Sequence, residues 1–143
     1  MADTLDQSYT AGAANEYFGY PDRDYGFQSF TPSVTGRFTK FEWSLKIGAG
    51  SPTGTLTGYL YSDDGSGKPN TLLSTLSNFS ATTLTGTYAY YAWTKALASA
   101  YKIIAGTKYH MVVHSSVVDI NNYVHREDGN GGYASGDAGI GNS

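Results

Sequence analysis

The chain has 143 residues, a formal net charge of -3, a charged fraction of 15% and no cysteine, which fits one domain large enough to bury a core unaided and excludes disulfides and thiolate metal sites. The nine Lys and Arg residues are scattered, so no phosphate-tracking stripe exists and a nucleic-acid partner is not expected. No stretch approaches the ~20 apolar residues of a membrane span, and residues 1–20 lack the basic and apolar regions of a signal peptide.

The aromatic count is the unusual quantity: 13 Tyr, 6 Phe and 2 Trp accompany 18 Gly. Tyr, Thr and Val with Gly make up short strands joined by tight turns. Residues 1–22 are small, polar and Gly/Ala-rich. They read as an extended N-terminal arm, with one strand around Leu5–Tyr9, ahead of a domain over 23–143.

In the domain, Phe41, Trp43, Leu45 and Ile47 alternate with Lys40, Glu42, Ser44 and Lys46. That period-two pattern is a strand with one apolar and one solvated face. Phe38 is out of phase, and a β-bulge near Thr39 would restore it. Gly48–Gly54 reads as a turn, followed by a strand over Thr55–Ser62 with Leu56, Gly58 and Leu60 on one face and Tyr59 and Tyr61 on the other. Asp63–Asn70 is a turn dense in Asp, Gly and Pro. Thr71–Ser77 reads as a strand with Leu72 and Leu76 on one side.

Thr87–Thr94 is a further strand, Tyr91 and Trp93 opposing Tyr88 and Tyr90. Thr94–Lys102 is extended or one short helical turn. Ala105–Lys108 turns into a strand at Tyr109–His114, and Val118–His125 reads as another strand before a Gly-rich tail. Turns every ten to fifteen residues between single strands predict an all-β fold, an antiparallel β-sandwich or barrel.

Chemistry is sparse along this pattern. No Cys or G-x-S-x-G elbow supplies a nucleophile, and Glu42 stands on an outer face with no partner carboxylate for glycoside chemistry. His110 and His114 share one strand face but lie about 13 Å apart, too far for one zinc ion, so with His125 they read as three polar-face histidines. Asp63, Asp64 and Asp128 are the calcium candidates, but they lack the D-x-D-x-D-G pattern with a distal Glu. The expectation is no catalytic residue, no cofactor and no bound metal. Thirteen tyrosines exceed what a small core holds with every hydroxyl satisfied. The candidate contact residues are Tyr59 and Tyr61, opposite Leu56 and Leu60, then Tyr88 and Tyr90.

The order of motifs, QSFTPSVTGRFTKFEWSL (28–45), SPTGTLTGYLYSDDGSGKPNTLLS (51–74), an aromatic strand ending in Trp93, AGTKYHMVV (105–113) and a Tyr-Gly tail, resembles a jelly-roll β-sandwich module of phage virion and tail proteins that also repeats in bacterial surface proteins. The resemblance spans about residues 24–135. It implies a carbohydrate-binding-module-like fold without catalysis and transfers no ligand residue. Family members continue into a last apolar strand that this sequence lacks. The chain is expected either to stop short of that strand or to fill the open edge with residues 1–22, from its own copy or a neighbour. The expected function is a non-catalytic virion protein: a capsid decoration, head fibre or tail module, made in the host cytoplasm and exposed outside the cell. Its expected partners are other virion proteins or its own copies through the arm, in a homo-oligomer, with surface glycan as a possible ligand. The alternative is a carbohydrate-binding module of a larger secreted or surface protein.

Overall fold

A computed structural model describes residues 14–128 and 138–141 of the chain, with side chains over 17–126. The described residues form β1 (Ala14–Phe18), β2 (Tyr25–Phe30), β3 (Gly36–Arg37), β4 (Lys40–Ala49), β5 (Thr55–Asp63), β6 (Pro69–Ser80), β7 (Ala89–Thr94), β8 (Lys102–Ile103), β9 (Tyr109–Ser115), β10 (Tyr123–Asp128) and β11 (Ala138–Gly141). One sheet has the order β1-β10-β4-β7, the other β11-β2-β9-β5-β6, and β3 and β8 make a separate two-stranded ribbon. Every pairing is antiparallel. The protein is an all-β sandwich. Its pairings nest: β1 with β10, β2 with β9, β4 with β7 and β5 with β6.

The alternation read in Lys40–Ile47 places Phe41, Trp43 and Leu45 in the core, facing Leu56, Leu60 and Val113 of the second sheet. Trp93 of β7 is fully buried. Its ring stacks on Phe41 at 5.0 Å, and its indole N–H donates to the Leu56 carbonyl at 3.2 Å. The flat indole lies against the backbone of Gly58, where a Cβ would come within 2.5 Å of Trp93. Glycine in β5 is therefore the space that lets the two sheets close over the tryptophan. Each buried ring of this cluster contributes roughly 1.5–3 kcal/mol of apolar burial.

The elements depart from the sequence reading in four places. Phe38 needs no bulge within one strand, because the chain breaks between β3 and β4. Its backbone N–H donates to the Tyr101 carbonyl at 2.9 Å and its ring stacks on Phe30. Leu72 and Leu76 do not share a side: three register shifts against β5 reset the alternation, leaving Leu72 48% exposed and Leu76 buried. Residues 118–122 are not strand. Asp119 accepts hydrogen bonds from the Asn121 backbone and the Asn122 side chain and holds them as a loop, so β10 begins only at Tyr123. The turn predicted at Gly48–Gly54 starts later, because β4 runs on to Ala49.

Residues 14–18, inside the segment set apart as an arm, form the edge strand β1 beside β10, with Phe18 fully buried. The strand expected at Leu5–Tyr9 lies outside the described residues. The edge of β2 is covered by β11, from the tail of the same chain.

Candidate binding surfaces

Register fixes which side chains leave the sandwich. On the second sheet, Phe27, Val112 and Tyr59 stand in one cross-strand row, and Ser29, His110 and Tyr61 in the next. This outer face carries the candidates Tyr59 and Tyr61, both half-buried. Their rings meet edge to face at 6.2 Å and 74°. The pair therefore offers one flat ring at a time rather than a coplanar platform. Burial, then the neighbouring phenols of Tyr59 and Tyr25, hold the Tyr61 hydroxyl above its ordinary value.

The polar neighbours of these rings are two imidazole–carboxylate pairs. His110 Nε2 lies 2.7 Å from Asp63 Oδ1, and His114 Nε2 lies 3.2 Å from Asp24 Oδ2. Burial pulls the Asp63 carboxyl upward. Hydrogen bonds from His110 and the Gly65 N–H, with the charges of His110 and Lys108, outweigh it and hold the group below its usual range. His110 is not a solvated polar-face residue as the sequence suggested. It is wholly buried, with Phe27's ring 5.6 Å away, and its Nδ1 has no hydrogen-bond partner. The carboxylate anchors it from the strand end, where period-two reading sees only an outward position.

Strand pairing brings a Ser, a His and an Asp that are far apart in sequence near one another. Ser29 pairs with His110 across β2 and β9, and His110 contacts Asp63. Ser29 and His110 are both closed to solvent, and Nδ1 of His110 holds no hydroxyl.

The remaining tyrosine candidates lie on the opposite outer face, so the four do not form one surface. Tyr90 pairs with Ser44 and is 58% exposed. Tyr88 is half-buried beneath Lys46, whose ammonium lies 4.6 Å from the ring centroid. The same face holds a cluster that sequence reasoning missed. Tyr17, Tyr20 and Tyr123 pack within 5.4–5.5 Å of one another, and His125 joins at 5.6 Å from Tyr123. Arg23 caps Tyr17 at 4.4 Å. Gly48 makes room for it: a Cβ there would come within 2.7 Å of both the His125 and Tyr123 rings. A glycine breaking the polar face of the Lys40–Ile47 strand was the available signal. Burial, then the charge of Lys46, hold the His125 imidazole below its ordinary value.

The calcium candidates divide. Asp63 serves His110 and the Gly65 N–H, the latter at 2.8 Å. Asp64 accepts from the Ser66 N–H and hydroxyl and from the Lys68 N–H, which lower its carboxyl to about 2. These are the bonds of an Asx-type turn. The Asp128 side chain lies outside the described side chains. Among the described residues, no group of three or more His, Asp or Glu side chains gathers as a metal site. Among the described residues, no helix is long and apolar enough to cross a membrane. Comparison of the chain with protein-family profiles, with curated proteins and with solved structures finds no match in any of the three.

Proposed function

We infer that this domain is a non-catalytic contact module of jelly-roll type that serves a phage particle as a capsid-decoration, head-fibre or tail component. The observation that carries the reading is the nested pairing of β1–β10, β2–β9, β4–β7 and β5–β6. It describes one long hairpin rolled into two layers, the plan that capsid and lectin domains share. Such a scaffold presents side chains from rigid strands. Here Ser29 and His110 are sealed while Tyr90 and the Tyr59–Tyr61 pair open outward, which supports contact rather than turnover. Tyrosine suits that role, because it offers a large ring and a hydroxyl at low entropy cost.

The Tyr59–Tyr61 pair favours a second reading, a carbohydrate-binding module. One half-open ring flanked by a hydroxyl and by Asp63 can stack on a sugar and bond its hydroxyls. The two readings are compatible in a virion protein that touches surface glycan.

Immunogold labelling of intact particles, paired with calorimetric titration of the purified chain against neutral oligosaccharides, tests both. Labelled particles support the virion reading; bare particles from cells that make the protein refute it. Sugar binding that Tyr59→Ala and Tyr61→Ala abolish supports the glycan contact, and binding unchanged by both removes it. Hydrolysis of any oligosaccharide by the purified chain would end the non-catalytic assignment.

A further inference from the structure

One flank of the sandwich carries two edge strands, β7 of one sheet and β6 of the other. An edge strand leaves the N–H and C=O of every second residue without a ladder partner. The two edges differ. The register of β6 against β5 shifts three times, and Lys95 Nζ donates to the Thr75 carbonyl at 2.9 Å. Bulges and a lysine are the devices that keep an edge from pairing. β7 has neither. It pairs with β4 over six residues without a shift, and residues 84–94 contain no charge and no proline.

The hydrogen bonds fix which groups of β7 point away from its sheet. Lys95 N–H donates to the Thr39 carbonyl at 2.8 Å, and Thr94 N–H turns away from β4 to Ser77 Oγ at 2.9 Å. By the alternation of an antiparallel ladder, Ala89, Tyr91 and Trp93 bond to β4, while the N–H and C=O of Tyr90 and Ala92 face outward. Among the described residues nothing bonds to these four groups. Nothing covers them either: Ala89, Tyr90 and Ala92 are all exposed, Tyr90 by 58%.

The edge is complementary to itself in one register. When two antiparallel copies of β7 meet with Tyr91 opposite Tyr91, Tyr90 of each stands opposite Ala92 of the other. All four outward groups of each copy then pair, giving four hydrogen bonds. On the outer face a large ring lies over a small side chain, twice. Sliding one way sets the two Tyr90 rings against each other. Sliding the other way sets Tyr90 opposite Thr94, whose N–H already serves Ser77. No charged residue of either strand opposes another in the centred register.

We propose that β7 pairs antiparallel with β7 of a second copy across a two-fold axis at Tyr91, joining two four-stranded sheets into one of eight strands. This goes beyond the proposed function, since it assigns a self-contact made by main-chain groups. The contact is isologous, so it closes at the dimer. Four hydrogen bonds and two covered rings make it a weak contact, with a Kd on the order of 0.1–1 mM.

Disulfide trapping tests the register. The chain has no cysteine, so Tyr90→Cys and Ala92→Cys each carry a single thiol. In the centred register residues 90 and 92 of opposite copies lie about 5.5 Å apart at Cα, within disulfide reach. Residues 90 and 90, or 92 and 92, lie roughly 8–9 Å apart, beyond it. Mild oxidation of an equimolar mixture should therefore give the mixed disulfide, identified by mass, well above the statistical share. A statistical mixture, or no cross-link, overturns the proposal.

Sedimentation equilibrium up to about 1 mM reads the contact without a cross-link. The wild type should approach a dimer and stop there. Ala92→Pro removes an outward donor and spares the ladder to β4, as proline on an edge strand can. It should need at least roughly tenfold higher concentration to associate, with circular dichroism and thermal midpoint unchanged. A wild type that stays monomeric overturns the proposal, as does a dimer indifferent to Ala92→Pro. Should Ala92→Pro fail to fold, the cysteine pair decides alone.

Discussion

On the outer face of the β1-β10-β4-β7 sheet, tyrosines pack on one another and beneath cations. On the outer face of the other sheet, tyrosines lie beside imidazole–carboxylate pairs. Arg23 over Tyr17 and Lys46 over Tyr88 define the first environment; His110–Asp63 and His114–Asp24 define the second. The same residue type is thus held by ring quadrupoles on one side and set beside carboxylate-bound imidazoles on the other. The first face should respond to shape, and the second to the loss of one polar partner.

The largest expected effect falls on the second face. His110→Ala removes a fully buried ring and strips the Asp63 carboxylate of its partner. We expect a loss of about 3 kcal/mol in urea-denaturation stability. His114→Ala should cost well under half of that, because its side chain is 35% exposed and its bond longer. Equal losses at the two histidines would break the picture of one sealed and one open pair.

Shape is the lever on the first face. Gly48→Ala drives a methyl group toward the His125 and Tyr123 rings and should cost about 1–3 kcal/mol. Thr57→Ala, on the outer face of the other sheet, should stay within about 0.5 kcal/mol. A neutral Gly48→Ala in the same denaturation assay would show that the Tyr17–Tyr20–Tyr123 cluster is loose enough to move aside.

Acid should separate the faces in order. The His125 imidazole is held below its ordinary value, first by burial and then by Lys46, so folding favours its neutral form. Its contribution is complete above about pH 6.5 and declines as the pH falls through the folded value. The Asp63 carboxyl is also held low, so its contribution is complete above about pH 3.9 and declines only in stronger acid. NMR spectra should therefore show the Tyr17 and Tyr123 ring signals moving together with the His125 ring protons as the pH falls below about 6.5. Ring signals that stay fixed while His125 titrates would separate the tyrosine cluster from its imidazole.

Much of this is legible in the sequence, for physical reasons that also mark where legibility stops. Phe41, Trp43 and Leu45 alternate with charged or polar residues, and side-chain direction in a strand follows alternation directly, so their burial could be read. Leu72 could not be placed the same way, because three register shifts in β6 have no signature in residue type. Val118–Asn122 is apolar enough to read as strand. Asp119 captures the following amides, a local competition with sheet pairing that the apolar run conceals. The candidate surface was half legible. An outward direction for Tyr59 and Tyr61 follows from Leu56 and Leu60 facing in, whereas the burial of His110 depends on Phe27 and Asp63, 83 and 47 residues away in sequence. The Tyr17–Tyr20–Tyr123–His125 cluster needs β1 beside β10, a pairing of the chain's two ends that no local pattern encodes.

The smallest expected effect concerns a single proton. Burial, with the phenols of Tyr59 and Tyr25 nearby, raises the Tyr61 hydroxyl above its ordinary value. A raised folded value means that the neutral phenol is the form the fold favours. The contribution is therefore complete below about pH 10 and declines as the pH rises through the folded value. In a spectrophotometric titration, the last phenol to ionise among the outward tyrosines should disappear in Tyr61→Phe. Tyr59→Phe should lower the midpoint of Tyr61 by taking away a neighbouring phenolate. A Tyr61 midpoint indifferent to Tyr59 would separate the two rings electrostatically and leave their edge-to-face contact as the sole link between them.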